Sequence, residues 1–414
     1  MSRQNMPGRR RKAFLAGLAL AALAGTTGLR AQAAPDAFQY KILAVKNTSP
    51  GEFPEITYSV VNPQTGTAYD LATDPAWTQL ANGTSRLFLQ VGWDTRDFTN
   101  TDSGSNLVAG GRGAAGPIPI NALDQFRQNS DGTYTVISPL PVPTSATGTG
   151  VVAMEGHPAG PDPTTGLYTV RVPVRSVYRY FTITGNAAVP RRQVVDTRKC
   201  MACHRSDGTG VAPRLTAHGN NRTEEPQVCV VCHNPNNTDI PFRLATHPKA
   251  TIGPYVFPEQ SIDFKTMIHG IHASAAGYRR EPLVVIGRNG TIFDAGTLER
   301  YPRNPRDCAA CHVDDGARGT FELPLAPTVL GTTFNTQSFR PDGTVEVDTD
   351  PGNDVKVTPM AAVCSSCHDS AKAVDHMIRK GRASFSATAE QAVGERCAAC
   401  HGPGRDKSVR KVHR

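Results

Sequence analysis

Three textures of hydrophobic and polar residues follow one another along the chain. Residues 13–25, AFLAGLALAALAG, are apolar without a break and stand behind Arg9, Arg10, Arg11 and Lys12. The run is too short to span a bilayer. Ala31-Gln32-Ala33 offers small residues for cleavage, so residues 1–34 read as an export signal. From residue 35 to 190 the texture is alternation. YKILAVK, EITYSVV, RLFLQVGW, TYTVIS, LYTVRVPV and RYFTITG are strand-like runs, with Gly, Pro, Asn and Asp clustered between them. A period of two over short runs is what half-buried strands require. This segment is expected to form an antiparallel β-sandwich or split barrel with a core of its own.

From 191 to 414 the periodicity fades, and the expectation is short helices and loops. The fold class is then α+β and multidomain. Two stretches stand out. In SIDFKTMIHGIHAS (261–274), Phe264, Ile268 and Ile271 recur at helical spacing. VVIGRNGTIF (284–293) places an Asn-Gly turn between β-rich runs and predicts a hairpin. DGTVEVDTDPGND (342–354) concentrates acids, but Gly352 is misplaced for an EF-hand, so a solvated loop is expected.

Composition changes this picture little. Gly (38) and Pro (32) are plentiful, as a loop-rich chain needs. The formal charge is +8, but six positive charges and no acid lie in the first 34 residues, leaving about +2 elsewhere. There is no basic stripe, which excludes nucleic acid as a partner. No segment after the signal is apolar enough to cross a membrane, and no Cys follows the apolar run to carry a lipid. A periplasmic, cell-surface or extracellular protein is expected.

The cysteines change the picture most. All ten fall into five pairs, each followed at once by His: CMACH (200–204), CVVCH (229–233), CAACH (308–312), CSSCH (364–368) and CAACH (397–401). A disulfide framework does not explain a His after every pair. Zinc sites built from two pairs would leave one pair over. C-x-x-C-H is the attachment signature of c-type haem. Two thiols add to the vinyl groups, and the adjacent imidazole reaches the iron. The expected attachment residues are Cys200, Cys203, Cys229, Cys232, Cys308, Cys311, Cys364, Cys367, Cys397 and Cys400, for five haems. The proximal ligands are His204, His233, His312, His368 and His401. About 225 residues around five porphyrins cannot build an ordinary core, so the porphyrins must be the core.

Low-spin carriers need five further ligands. Seven His remain: His157, His218, His247, His269, His272, His376 and His413. His269 and His272 are neighbours on one helical face, so one helix can hold two haems side by side. Gly270 between them is expected to leave room for a porphyrin. Met267 and Met377 are expected to serve packing.

The haem segment resembles the bacterial outer-membrane multihaem cytochromes of the OmcA/MtrC type. The stretches that carry the resemblance are LTAHGNNRTEEPQVCVVCHNPN (215–236), SIDFKTMIHGIHAS (261–274), YPRNPRDCAACH (301–312), VTPMAAVCSSCHDSAKAVDHM (357–377) and CAACHGPGRDKSVRKVH (397–413), with MEGHPAG (154–160) in the β segment. The resemblance implies a β-domain (35–190) beside a pentahaem domain (191–414) and bis-histidine ligation. It implies electron transfer with redox partner cytochromes or an outer-membrane conduit, and with external acceptors such as metal oxides. Carried over by motif, the distal ligands are His218, His269, His272, His376 after the fourth site and His413 closing the fifth. His247 is the spare. His157 is either a propionate contact or a plain loop residue. Family members typically pair two such units and often carry a lipid-bearing Cys. This chain has one unit and no such Cys. An enzyme with one open iron and a subunit of a conducting filament are the competing readings.

Overall fold

The computed structural model describes residues 37–102, 116–204, 215–246, 251–252, 255–256, 258–287, 290–338, 342–344, 351–386 and 394–413. The first part holds ten strands: β1 (Gln39–Lys46), β2 (Glu55–Val61), β3 (Arg86–Trp93), β4 (Ile118–Asn121), β5 (Arg127–Gln128), β6 (Tyr134–Ile137), β7 (Thr149–His157), β8 (Ala159–Pro161), β9 (Tyr168–Arg171) and β10 (Val177–Thr182). One antiparallel sheet runs β1-β2-β6-β5 and a second β10-β7-β3-β4; β8 and β9 pair as a ribbon. The strand residues that alternate inward (Tyr40, Ile56, Tyr58, Leu87, Leu89, Tyr134) meet in one core with Trp77 and Trp93. Each large side chain removed from water there contributes roughly 1.5–3 kcal/mol. Two of these phenols are hydrogen-bonded: Tyr58 Oη donates to Ala122 O at 2.9 Å and Tyr134 Oη to Tyr69 O at 2.9 Å.

The second part is α1 (Thr197–Met201), α2 (Pro226–Cys232), α3 (Ile240–Thr246), α4 (Phe264–Ala275), α5 (Pro359–Ser365), α6 (Ala371–Arg379), α7 (Ala398–His401) and α8 (Val409–Val412). Between them lie two-residue to four-residue ribbons: β11 (Thr216–Ala217) with β12 (Arg222–Thr223), β13 (Thr251–Ile252) with β14 (Tyr255–Val256), β15 (Val284–Ile286) with β16 (Ile292–Asp294), and β17 (Thr332–Asn335) with β18 (Val355–Val357). The expected hairpin at 284–293 is β15–β16, closed by Gly287 N donating to Thr291 O at 2.7 Å. Part of its turn, and 345–350 of the acidic stretch, lie outside the described residues. N-terminal antiparallel sheets followed by a helix-and-loop region match the expected class.

The outer face of the second sheet covers α2. Val228, Val230 and Val231 of α2 pack with Val151 and Ala153 of β7 and with Phe98. The approach is close because β3 carries Gly92: a Cβ there would stand 2.9 Å from Val231 Cγ1. Asp97 ties the connection between the parts. Its Oδ1 accepts from Arg191 Nη2 at 3.0 Å and Arg192 Nη2 at 2.5 Å, and its Oδ2 from Leu330 N at 2.9 Å.

Candidate haem sites

Each C-x-x-C-H run closes a tight turn. In all five, the His amide donates to the carbonyl of the first Cys: His204 to Cys200, His233 to Cys229, His312 to Cys308, His368 to Cys364 and His401 to Cys397, at 2.8–3.0 Å. The turn brings both thiols and the imidazole to one side. α2 starts at Pro226, with Glu225 accepting from Gln227 N at 3.3 Å. α5 starts at Pro359, and the Glu395 carboxylate accepts from Met360 N (2.8 Å) and Ala361 N (2.9 Å). Proline at the first helical position and an anion at the N-terminus both favour helix initiation. None of the ten cysteines is in a disulfide.

Each of these five histidines faces a second one. Ring centroids are 6.1 Å apart for His204–His272, 5.9 Å for His218–His233, 5.9 Å for His269–His312, 5.9 Å for His368–His413 and 6.1 Å for His376–His401. Two metal–imidazole bonds of about 2 Å each, plus about 1 Å from each nitrogen to its ring centre, put two axial imidazoles about 6 Å apart. The spacing therefore fits an iron between each pair. Interplanar angles run from 5° for His269–His312 to 86° for His376–His401, so the sites are not equivalent.

The imidazoles are also prepared as ligands. Nδ1 of His233 lies 2.9 Å from Ile262 O, that of His272 2.9 Å from Ile268 O, that of His401 2.8 Å from Lys407 O, and that of His413 2.9 Å from Val409 O. His312 Nδ1 lies 3.0 Å from Thr320 Oγ1, whose own proton goes to Val194 O at 2.6 Å. A carbonyl can only accept, so Nδ1 carries the proton and Nε2 is left with its lone pair for a metal. Burial holds His204, His233, His269, His312 and His368 below the ordinary histidine range, His312 at about 3. The neutral form is the one that binds metal. Burial also pushes the thiols of Cys229, Cys232 and Cys364 up to about 12.

The helix α4 presents His269 to the third attachment site and His272 to the first. Gly270 does not do what was expected of it. A Cβ there would meet Leu283 Cδ2 at 3.2 Å, so its small size serves contact with the chain and not with a cofactor. The two C-terminal distal candidates cross over relative to their order in sequence. His376, which follows the fourth site, faces His401 of the fifth; His413, which follows the fifth, faces His368 of the fourth. The reason lies in what holds their helices. The turn after α6 is fixed by Arg396 N donating to Gly381 O at 2.7 Å, directly before the fifth site. α8 is pinned by Arg410, which pairs with Asp314 at 2.9 Å and Glu322 at 2.6 Å.

The sites adjoin one another. Cys200 of the first and Cys311 of the third lie close enough for each thiol to shift the titration of the other. Lys199 Nζ donates to Ala309 O and His312 O, and Asp196 N to Cys311 O. Cys308 of the third site is close enough to Cys367 of the fourth, and Cys364 to Cys397 of the fifth, for each thiolate to raise its neighbour's pKa. The second site is held by the start of α4, with Phe264 N donating to His233 O at 3.0 Å. A cleft of 390 Å³ lined by Tyr278, Arg300, Tyr301 and Arg303 opens beside the first site, where Tyr301 lies 5.2 Å from His272.

His247 lies outside the described residues. His157 is not a loop residue. It ends β7, is wholly buried, and its Nδ1 lies 2.7 Å from Thr84 O. Met377 packs with Val357, Ala361, Ala362 and Ala383. Sequence reasoning missed the carbonyls and Thr320 that fix the ring tautomers. The pairs spaced four apart, Ile268 with His272 and Val409 with His413, carry a helical signal; Thr320 carries none.

Paired thiols, each with an adjacent imidazole that faces a second imidazole across the width of a metal, are the marks of a multihaem c-type cytochrome. The chain belongs to the outer membrane cytochrome MtrC/MtrF-like family, whose domains II/IV match residues 192–414. Among solved structures it is similar to MtrC from Shewanella baltica OS185, with 16% identity and a TM-score of 0.49, covering 88% of this chain and 51% of that one. It is also similar to the outer membrane decaheme cytochrome OmcA, with 17% identity and a TM-score of 0.44, covering 91% of this chain and 48% of that one. The chain thus spans about half the length of these structures. No curated protein matches the sequence.

Proposed function

We propose that this chain is an electron carrier holding five haems c in a pentahaem domain (191–414) beside a β-domain (35–190), and that all five irons are bis-histidine ligated. The proposed pairs are His204 with His272, His233 with His218, His312 with His269, His368 with His413 and His401 with His376. The observation that carries the reading is the uniform 5.9–6.1 Å separation of the five imidazole pairs. A haem c bound at each pair supplies an iron that takes up and releases one electron.

The residues do the rest. The thiols fix each ring covalently, so a lost ligand does not release the cofactor. Nδ1 hydrogen bonds hold His233, His272, His312, His401 and His413 in one tautomer. α4 sets the spacing of the first and third sites, and the attachment thiols lie within electrostatic reach of one another from first to third, third to fourth and fourth to fifth. Electrons then have a continuous route along four sites, with the second as a branch under the β-sheet. Two imidazoles per iron leave no coordination position for a substrate, which favours a carrier over an enzyme. We place the protein in respiratory electron transfer outside the cytoplasm, with partner cytochromes or an outer-membrane conduit and external acceptors such as metal oxides.

The ferric holoprotein should be low-spin throughout and should not bind carbon monoxide when reduced. His269→Ala and His272→Ala should each convert one haem of five to high spin, and the double variant two. A native protein with a high-spin component would instead support the enzyme reading. Wild-type spectra in both single variants would end the ligand assignment.

A further inference from the structure

The sheet face over α2 carries an ion pair where apolar contact alone would suffice. Glu155, on β7, is 1% exposed. Its Oε1 accepts from Gln90 Nε2 on β3 at 3.1 Å and from Arg222 Nη2 on β12 at 2.5 Å. Its Oε2, and Gln90 Oε1, are buried without a hydrogen-bond partner. A buried ion pair adds little stability over well-packed apolar groups of the same volume. The position of this one is informative. β12 belongs to the ribbon that carries His218, four residues before Arg222. The Arg222 charge acts on both imidazoles of the second site, His218 and His233, and on both of its thiols, Cys229 and Cys232. The Glu155 charge reaches the thiols. Arg222 thus stands on the ribbon that carries an axial ligand, whereas Glu155 stands on the sheet. The other titratable group that feels Glu155 is Tyr40 of β1.

We propose that Arg222 and Glu155 set the reduction potential of the haem at the second site, with Arg222 raising it and Glu155 limiting the rise. This rests on His218 and His233 being the ligands of that haem. An arriving electron adds one negative charge at the iron. The guanidinium stabilises that charge and the carboxylate opposes it, and low surrounding polarity magnifies both effects. The β-sheet thereby sets the energy of the site that branches from the other four.

Potentiometric titration of the holoprotein at pH 8 tests this, since one fifth of the haem absorbance belongs to the second site. Glu155→Gln should move that fifth upward by at least a tenfold change in its oxidised-to-reduced ratio at fixed potential, which is 59 mV for one electron. Arg222→Met should move it downward, Arg222→Lys should leave it near the native value, and the double variant Glu155→Gln/Arg222→Met should fall between the two single ones. Opposite signs are not expected of a pair that only props the fold. Superimposable titrations, or shifts of the same sign, overturn the proposal. So does loss of one low-spin signal in either single variant, which would make the pair a support for the ligand ribbon. The ligand assignment itself is read separately, from the spin state of His218→Ala.

Discussion

An imidazole that is to bind iron must be neutral and must keep one nitrogen bare, and the same side chain can be neutral for a different reason. His157 shows the second case. Burial pushes its pKa from 6.5 down to about 4. On unfolding, the ring returns to its ordinary titration, so the unfolded chain binds the extra proton between these values. The contribution of His157 to stability is present above pH 6.5 and is lost as pH falls toward 4, by roughly 3 kcal/mol at most. Denaturant midpoints at pH 7 and pH 4.5, followed by far-UV circular dichroism, should fall less for His157→Gln than for the native chain. Among the ligand candidates the informative residue is His413. In a chain lacking the fifth attachment (Cys397→Ala/Cys400→Ala), His413→Ala should still turn one of the four remaining haems high-spin, because its partner is His368 of the fourth site. A low-spin spectrum there would return His413 to the fifth site. The five attachment histidines and the His269/His272 pair stand out locally in the sequence, by motif and by helical spacing, whereas His218, His376 and His413 enter as ligands only through the family resemblance. Their pairing is not legible there, because it depends on Arg410 reaching Asp314 and Glu322 across about ninety residues of chain.

At the level of elements, legibility followed exposure. β1, β2, β3, β6 and β10 were visible in the alternating runs. β7 was not: all nine of its residues are buried, because one side faces the sandwich core and the other faces α2. A strand covered on both sides has no alternation to read. That strand is also the one that carries Glu155. The seat of α2 on the sheet makes a prediction. Gly92→Val should cost roughly 1–3 kcal/mol, measured by denaturant unfolding, since the new side chain would displace Val231. Gly270→Ala should change stability by no more than about 1 kcal/mol, the gain in helix propensity offsetting a shift of Leu283, with the haem spectrum untouched. Glu395→Ala removes a charged acceptor from the start of α5 and should cost about 1.5–3 kcal/mol.

For the molecule as a whole, the two parts are stabilised by different means. The β-sheets close over an ordinary apolar core, whereas the second part has small satellite clusters such as that around Met377. Its remaining cohesion is assigned to the cofactors. Intact mass should exceed the signal-cleaved polypeptide by five haems, and a shortfall of one removes the five-site reading. Charge should follow. Five haems would add about ten propionate charges against about five positive ferric centres, so isoelectric focusing should place the oxidised holoprotein below the haem-free chain of the same length.

The nearness of Cys200 and Cys311 bears on how such a protein can be made. These two side chains come from segments more than a hundred residues apart, yet the fold brings their sulfurs near each other. Before haem is attached, two thiols so placed in an oxidising compartment would be candidates to cross-link, and that bond would block two attachment sites at once. Maturation must therefore run ahead of closure: the thioethers at the first and third motifs have to form while the chain is still open, or a reductant has to guard them. Peptide mapping of chain exported without the attachment machinery should recover Cys200 joined to Cys311 as a leading mispaired product, and reduction should restore its capacity to take up haem.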